Sequence, residues 1–525
     1  MAGLLGAVAV VFLLGLARLT ETFNGDQALF VVYAKGIISG QQLYTDLWDV
    51  KQPGIFYFYA IAGQIFGFSE IGVHFFELLY WIIFSAALIW IANDQFKNES
   101  LRYLLPLATA GYYYLTAGSL QMTQVETLVG FPLLFSFALI PKYCKSVGSA
   151  QWIFGCLISG LAVALALLLK FAFLPLLGLL TLTAVSLTVR NSRKPTYAAA
   201  GVSLFFIWTI AAAFLGLFLL NYWYDGILDE IIYSTFRYPR EALAAHAGAD
   251  RLPTLVNSLV WFLLTFAPLI ILSSIFGLLA AIRHFRNSSI GHVDGTTHRD
   301  LSVSAIYAWC YLVWLAVGLF VLGMQATSWW SYHFMLFFVP LGFFALRGVD
   351  KMIMLIDEYM PAFSRGAIAS FVAASIVVLA VFNIFTVRVV KSRLKPRNYG
   401  YQNGLAGPTG DSWEIYQKVT EESRKAGLPS GGSDIWACAE PHYYYHNDKI
   451  PPISSNGWMP EFFVEGQWSR LEREVLASKP KYLILNSFCV DLIRNKAPGF
   501  QVLLDSEYKT VFEGENVSWY RSTVK

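Results

Sequence analysis

Asn24–Gly54, NGDQALFVVYAKGIISGQQLYTDLWDVKQPG, is the stretch on which the reading of this chain turns. It follows the first apolar segment directly and carries Asp26, Lys35, Asp46, Asp49 and Lys51. It closes on a Lys51-Gln52-Pro53-Gly54 corner, where Pro53 disfavours helix at Gln52 and removes a backbone donor. Charges this dense between apolar segments belong at a membrane surface or in a wet cavity, because moving each into hydrocarbon costs several kcal/mol.

Composition supports that setting. Of 525 residues, 56% are hydrophobic, 16% aromatic and only 14% charged, against ~25% charged in soluble domains. The net charge of +3 is too small to argue for a nucleic-acid partner. Lys and Arg are spread between apolar segments, which is a topology signal. The five cysteines lack CxxC spacing and give neither a redox motif nor a zinc site. Cys438 and Cys489 share the tail region, and pairing outside the cytoplasm is open to them. The first twenty residues lack a basic leader region and a small-residue cleavage site, so an uncleaved first helix is expected.

Stretches long enough to cross a bilayer occur near 2–20, 72–92, 102–118, 127–141, 152–169, 171–189, 197–220, 255–281, 303–323, 329–346 and 367–387, about eleven crossings. Under this count Lys97 with Arg102, Lys142 with Lys145, Arg190 with Arg193 and Lys194, Arg283 with Arg286, and Arg347 with Lys351 fall on one side. The positive-inside rule makes that side cytoplasmic. Residues 55–68, at roughly 1.5 Å per residue, reach only about 21 Å, so a helix lying in the outer leaflet, or one that shares a crossing with 72–92, is expected there. The outer face then collects 21–54, the Gln121–Glu126 corner, Lys170, the 221–254 loop, the 324–331 turn and the tail. The basic run Arg388–Arg397 departs from the charge rule, as the start of a long translocated domain can.

The 221–254 loop mixes aromatics and acids with Arg237 and Arg240, the pattern of an interfacial helix followed by a flap. From about 398 the chain changes character. DIWACAE and KYLILNS read as buried strands, WSRLEREVLAS as an amphipathic helix, and YKTVFEGENVSWYRS as a hairpin around Gly514. The expected fold is an all-α polytopic membrane domain over 1–390, with outer loop 21–54, followed by a small extracytoplasmic α/β domain over 398–525.

The ionisable residues at the outer corners carry the chemistry. Lys170, in ALALLLKFAFLPLL, must snorkel to the interface or meet an anion. A phosphate at the leaflet surface would satisfy it, with Lys51 a second contact and a carboxylate nearby to take a hydroxyl proton. Each residue also has a plainer reading. Asp26 can cap the helix that follows it, Asp46 and Asp49 can serve the turn, and Lys51 can anchor at the interface. Glu126 can be a helix-start acid, His333 beside Trp329 and Trp330 can belong to the aromatic belt, and Arg237 and Arg240 can be surface charges. His442 and His446 in EPHYYYHND would bind metal only on a helix, and the prolines around them suggest a loop. Tyr443–Tyr445, Trp458, Phe462, Phe463 and Trp468 suit sugar stacking or a small core.

At these residues the sequence resembles the first outer loop of the GT-C glycosyltransferases, in the bacterial branch related to protein O-mannosyltransferases and lipid A aminoarabinose transferases. The pattern of an acidic pair, a Tyr-x-Asp element and a Lys/His-Pro-Pro corner reads here as Asp26-Gln27, Tyr44-Thr45-Asp46 and Lys51-Gln52-Pro53. Glu126 in QVETLVGF resembles the second acidic position, Lys170 the lysine between helices, and Tyr332-His333-Phe334 the late Tyr/His-Tyr-Phe element. Gln27 replaces the usual second acid, and His74 stands where an arginine is common. The resemblance implies an inverting hexosyl- or pentosyltransferase of the plasma (inner) membrane, with its active site facing away from the cytoplasm. Its implied partners are a polyprenyl-phosphate-linked sugar, a glycan, lipid or protein acceptor, and membrane lipids. Asp26 would be the general base. Lys51, Lys170, Arg237 and Arg240 would hold the donor phosphate, while Asp46, Asp49, Glu126, Tyr332 and His333 would shape the substrate region. No cofactor is implied with certainty. A divalent cation is compatible with the pattern, but no metal ligands are assigned. The competing reading is a lipid-linked sugar flippase, although the internal repeats common in transporters are not evident.

Overall fold

The computed structural model describes residues 2–192, 196–245, 252–289, 302–325, 329–359, 366, 412–428, 434–514 and 517–523. The chain folds as two compact units, each assembled from separate stretches of sequence.

The helical unit takes Met1–Arg18, Glu77–Leu217 and Leu252–Arg393. Among the described residues eight helices are long and apolar enough to cross a membrane, making this an integral membrane protein. They include Val125–Tyr143, Ala150–Leu169, Phe171–Arg190, Leu252–Leu278 and Val303–Met324. The expected span 367–387, the run Arg388–Arg397 and the pair Arg193 and Lys194 lie outside the described residues, as do the side chains of Arg283 and Arg286. Two expected spans differ in the structure. The first helix, Ala2–Leu16, ends before Arg18. Residues 102–118 are broken into a 3-10 helix at Glu99–Leu104, a π turn at Leu107–Gly111 and an α-helix at Tyr112–Thr116. Pro106 accounts for the break, since it cannot donate and its ring crowds the preceding turn. Helix contacts here depend on small residues. A Cβ at Gly348 would stand 2.1 Å from the Leu272 carbonyl, so only glycine lets Phe338–Tyr359 lie this close to Leu252–Ser289.

The second unit takes Leu19–Phe76, Phe218–Arg251 and Leu394–Lys525. Its centre is a mixed sheet of β1 (Ile435–Cys438), β2 (Tyr482–Asn486), β3 (Tyr508–Glu513) and β4 (Val517–Ser522), in the order β1-β2-β4-β3. Only β1 and β2 run parallel, pairing Ile435 with Tyr482 and Cys438 with Leu485. β1 is buried along its whole length, as a strand covered on both faces should be. Trp436, Leu483, Leu485 and Phe500 form the core with Trp468, Leu471 and Val475 of the helix Glu465–Ser478. The disulfide left open by the sequence is present, joining Cys438 to Cys489. The segment 442–446 is helical rather than loop, because Pro441 stands at the N-cap, where its missing N–H is not needed.

The stretch 24–54 lies in this unit. It forms the helix Gly25–Ile38, an irregular return, and the helix Pro53–Phe66, which starts on Pro53 and is 14 residues long. The 453–458 loop clasps the return. Ser454 accepts from the Trp48 N–H at 3.0 Å, and Asn456 Nδ2 donates to the Tyr33 hydroxyl at 2.7 Å. Tyr33 in turn donates to the Trp48 carbonyl at 2.8 Å. From the 221–254 region, Leu228–Ile232 and Tyr238–Ala245 are helical, and Tyr238 donates to the Phe462 carbonyl at 2.7 Å. Residues 246–251, within the loop expected to end in a flap, lie outside the described residues.

Candidate functional site

The expected site residues form two clusters, one in each unit. In the loop-and-sheet unit, the helix Gly25–Ile38 starts on a capping box. Asn24 Oδ1 accepts from the Asp26 N–H at 2.9 Å, and Gln27 Oε1 accepts from the Asn24 N–H at 2.8 Å. Asn24, not Asp26, is therefore the cap, and Gln27 completes the capping box. Relieved of capping, the Asp26 side chain is 10% exposed and faces Lys51 Nζ at 3.5 Å. The indole Nε1 of Trp458 donates to the same Oδ1 at 3.1 Å. Lys51 also lies over the Phe30 ring, 5.0 Å from its centroid.

Gly25 makes the arrangement possible. A Cβ there would stand 2.6 Å from Trp458 Cζ2 and 2.8 Å from Glu440 Oε2. Asp49 is buried behind the corner and accepts from the Lys51 N–H at 2.9 Å. Burial pushes its carboxyl above the usual range, against the opposing pull of Lys51. Asp46 is exposed and accepts from the Gln42 N–H at 2.9 Å, a turn contact. Arg237 and Arg240 are exposed. His74 is buried, with Nε2 donating to the Glu21 carbonyl at 3.1 Å.

In the helical unit, Lys170 is the extended residue between Ala150–Leu169 and the turn Phe171–Phe173. Lys170 thus stands between two helices that are each apolar enough to cross a membrane. Lys170 Nζ donates to Glu126 Oε1 at 2.5 Å and to Gln325 Oε1 at 2.7 Å. Its side chain is 22% exposed, whereas Glu126 is 2% exposed. His333 Nε2 stands 3.7 Å from Glu126 Oε1 and packs edge-on against the buried Tyr332 ring. Ser331 accepts from Gln121 Nε2 at 2.9 Å, which ties the Gln121–Glu126 corner to the segment bearing His333.

Sequence reading missed several partners. Gln325 had no local signal, Glu440 was read with Asp448 only beside the His442 and His446 pair in EPHYYYHND, and Trp458 was grouped with other aromatics. Glu440 Oε2 stands 3.7 Å from His442 Nδ1, and His442 Nε2 donates to the Phe23 carbonyl at 2.9 Å. Burial, then the neighbouring His442, pushes His446 down to about 3. Among the described residues no group of three or more His, Cys, Asp or Glu side chains could hold a metal ion.

An apolar helical unit and a small mixed sheet are also found in a solved membrane protein whose fold is similar to that of this chain. The chain matches the crystal structure of ArnT from Cupriavidus metallidurans bound to undecaprenyl phosphate, with a TM-score of 0.55 and 12% identity. The match covers 99% of this chain and 98% of that one. Archaeal oligosaccharyltransferase AglB from Archaeoglobus fulgidus, in complex with an inhibitory peptide and a dolichol-phosphate, also matches. Its TM-score is 0.48 at 12% identity, over 99% of this chain and 74% of that one. No protein-family model matches the chain, and no curated protein sequence does.

Proposed function

We propose that the chain transfers a sugar from a polyprenyl-phosphate donor to a hydroxyl acceptor on the extracytoplasmic side of the plasma membrane. The observation that carries this reading is Lys170. An ammonium has three N–H donors. Glu126 and Gln325 take two, and the half-sheltered group stands at a boundary between spans. The remaining N–H suits a phosphate oxygen at the leaflet surface. Likeness to a fold that in ArnT holds undecaprenyl phosphate supports the same ligand class here. The Cys438–Cys489 disulfide supports an oxidising compartment for the second unit.

In the proposed reaction Asp26 takes the proton of the acceptor hydroxyl as its oxygen attacks the anomeric carbon. The bond from that carbon to the phosphate oxygen breaks, its electron pair leaves with the polyprenyl phosphate, and the configuration inverts. Lys170 and Lys51 stabilise the charge that develops on the phosphate, and the exposed Arg237 and Arg240 add bidentate capacity. Glu126, His333 and Tyr332 hold and shape the Lys170 site. Asp46 and Asp49 fix the return that ends at Lys51.

The test uses purified full-length protein in detergent with undecaprenyl phosphate carrying a tritiated hexose or, separately, a tritiated pentose, and envelope glycolipids as acceptors. Transfer moves tritium off the lipid and releases undecaprenyl phosphate. A flippase leaves tritium on the lipid with every acceptor, and that result overturns the proposal. One variant examines the base. Trp458→Phe keeps an aromatic ring and removes the donor to Asp26, so kcat is expected to fall about ten-fold, the value of one hydrogen bond to a charged group. The donor KM should stay unchanged. A change confined to KM would instead make Trp458 a binding residue.

A further inference from the structure

Glu77 lies within a helix apolar enough to cross the membrane, and its side chain is fully buried. A carboxylate there is costly unless its oxygens are occupied. They are. The Tyr113 hydroxyl donates to Oε1 at 2.5 Å and the Thr123 N–H at 3.1 Å, while Trp81 Nε1 approaches at 3.4 Å. Thr123 Oγ1 donates to Oε2 at 2.9 Å. Two of these donors belong to Thr123, whose φ of +50° places a β-branched residue in the left-handed region. That conformation is unfavourable and persists only where the surroundings impose it.

The constrained corner leads to the lysine cluster. Glu126 follows three residues later and holds Lys170. Gln121, two residues earlier, accepts from the Gly118 N–H at 3.0 Å and donates to Ser331, two residues before His333. Thr127 Oγ1 closes the loop by donating to the Gln121 carbonyl at 3.0 Å.

We infer that Glu77 is a positioning residue for the Lys170 site: by clamping Thr123 in its strained conformation it sets Glu126 and, through Gln121 and Ser331, His333. The inference rests on Lys170 as the contact for a lipid phosphate. Glu77 works here through the geometry of its two acceptor oxygens. Glu77→Gln keeps Oε1 for Tyr113 and Thr123, and the Thr123 hydroxyl can turn to accept from the new Nε2. Glu77→Ala keeps neither.

The experiment measures equilibrium binding of tritiated undecaprenyl phosphate to the purified full-length protein, with the folded fraction counted separately. Glu77→Ala is expected to weaken binding roughly ten-fold per folded molecule, the size of a coupling within one hydrogen-bond network, with Glu77→Gln within about three-fold of wild type. In a Lys170→Met background, Glu77→Ala should add nothing. A purely structural role would lower the folded fraction and leave the affinity of the remainder intact, which overturns the inference. Equal losses in the Ala and Gln variants overturn it as well, since charge would then be what matters. If Glu77→Ala does not fold, Thr123→Val removes one clamp bond and must still weaken binding. Unchanged binding in Lys170→Met alone would reject the phosphate reading, and this inference with it.

Discussion

Asp26→Asn is expected to lower turnover by about 10²–10⁴-fold, the usual contribution of a positioned general base. The replacement has the same shape, and its Oδ1 can still accept from the Trp458 indole. What it loses is the ability to take a proton and the charge facing Lys51. If Asp26 were only a helix-start acid, its loss would cost about 0.3–1 kcal/mol of stability through the helix dipole and leave turnover nearly intact. Measuring kcat, donor KM and Tm on the same preparation separates these cases. The expected result is a collapse of kcat with KM and Tm close to wild type. Turnover within a few-fold of wild type would remove Asp26 from the mechanism.

Lys170→Met is expected to weaken binding of undecaprenyl phosphate by about 10–100-fold, corresponding to loss of one hydrogen bond between charged groups. The single variant has a second effect, because it strands the buried Glu126 carboxylate. Removing one partner of a buried ion pair costs about 3–5 kcal/mol. Glu126→Gln in the same chain removes the stranded charge, so the double variant should recover most of the lost Tm. It should not recover affinity. Glu126→Gln alone keeps an oxygen for Lys170 and should bind the lipid within a few-fold of wild type. Recovery of both stability and affinity in the double variant would assign Lys170 to packing.

Much of the second unit was legible because its signals are local. Both sheet-core strands read as short apolar runs, the helix Glu465–Ser478 as amphipathic, and the last hairpin from its alternation. Lys170 was legible because a lone charge between apolar helices has few reasons to exist. The break at Pro106 was hidden inside an apolar run long enough to look like one span. Glu77 was masked in the same way, since a single acid among apolar residues does not reveal the donors that will meet it. Partners brought in by the fold were beyond sequence reading. Gln325 lies 155 positions from Lys170, and Trp458 lies 432 positions from Asp26. The Asn24–Gln27 capping box was readable at short range, yet Gln27 stood out first as a departure from an acidic pair.

The indole bond to Asp26 also bears on biogenesis. The carboxylate leaves the ribosome 432 residues ahead of the tryptophan that orients it. Between those events the helices apolar enough to cross a membrane are synthesised. Trp458 also follows Cys438, which is joined to Cys489 further along the chain. If Asp26 is the base, a nascent chain carries it without its orienting donor until the tail has been made and folded.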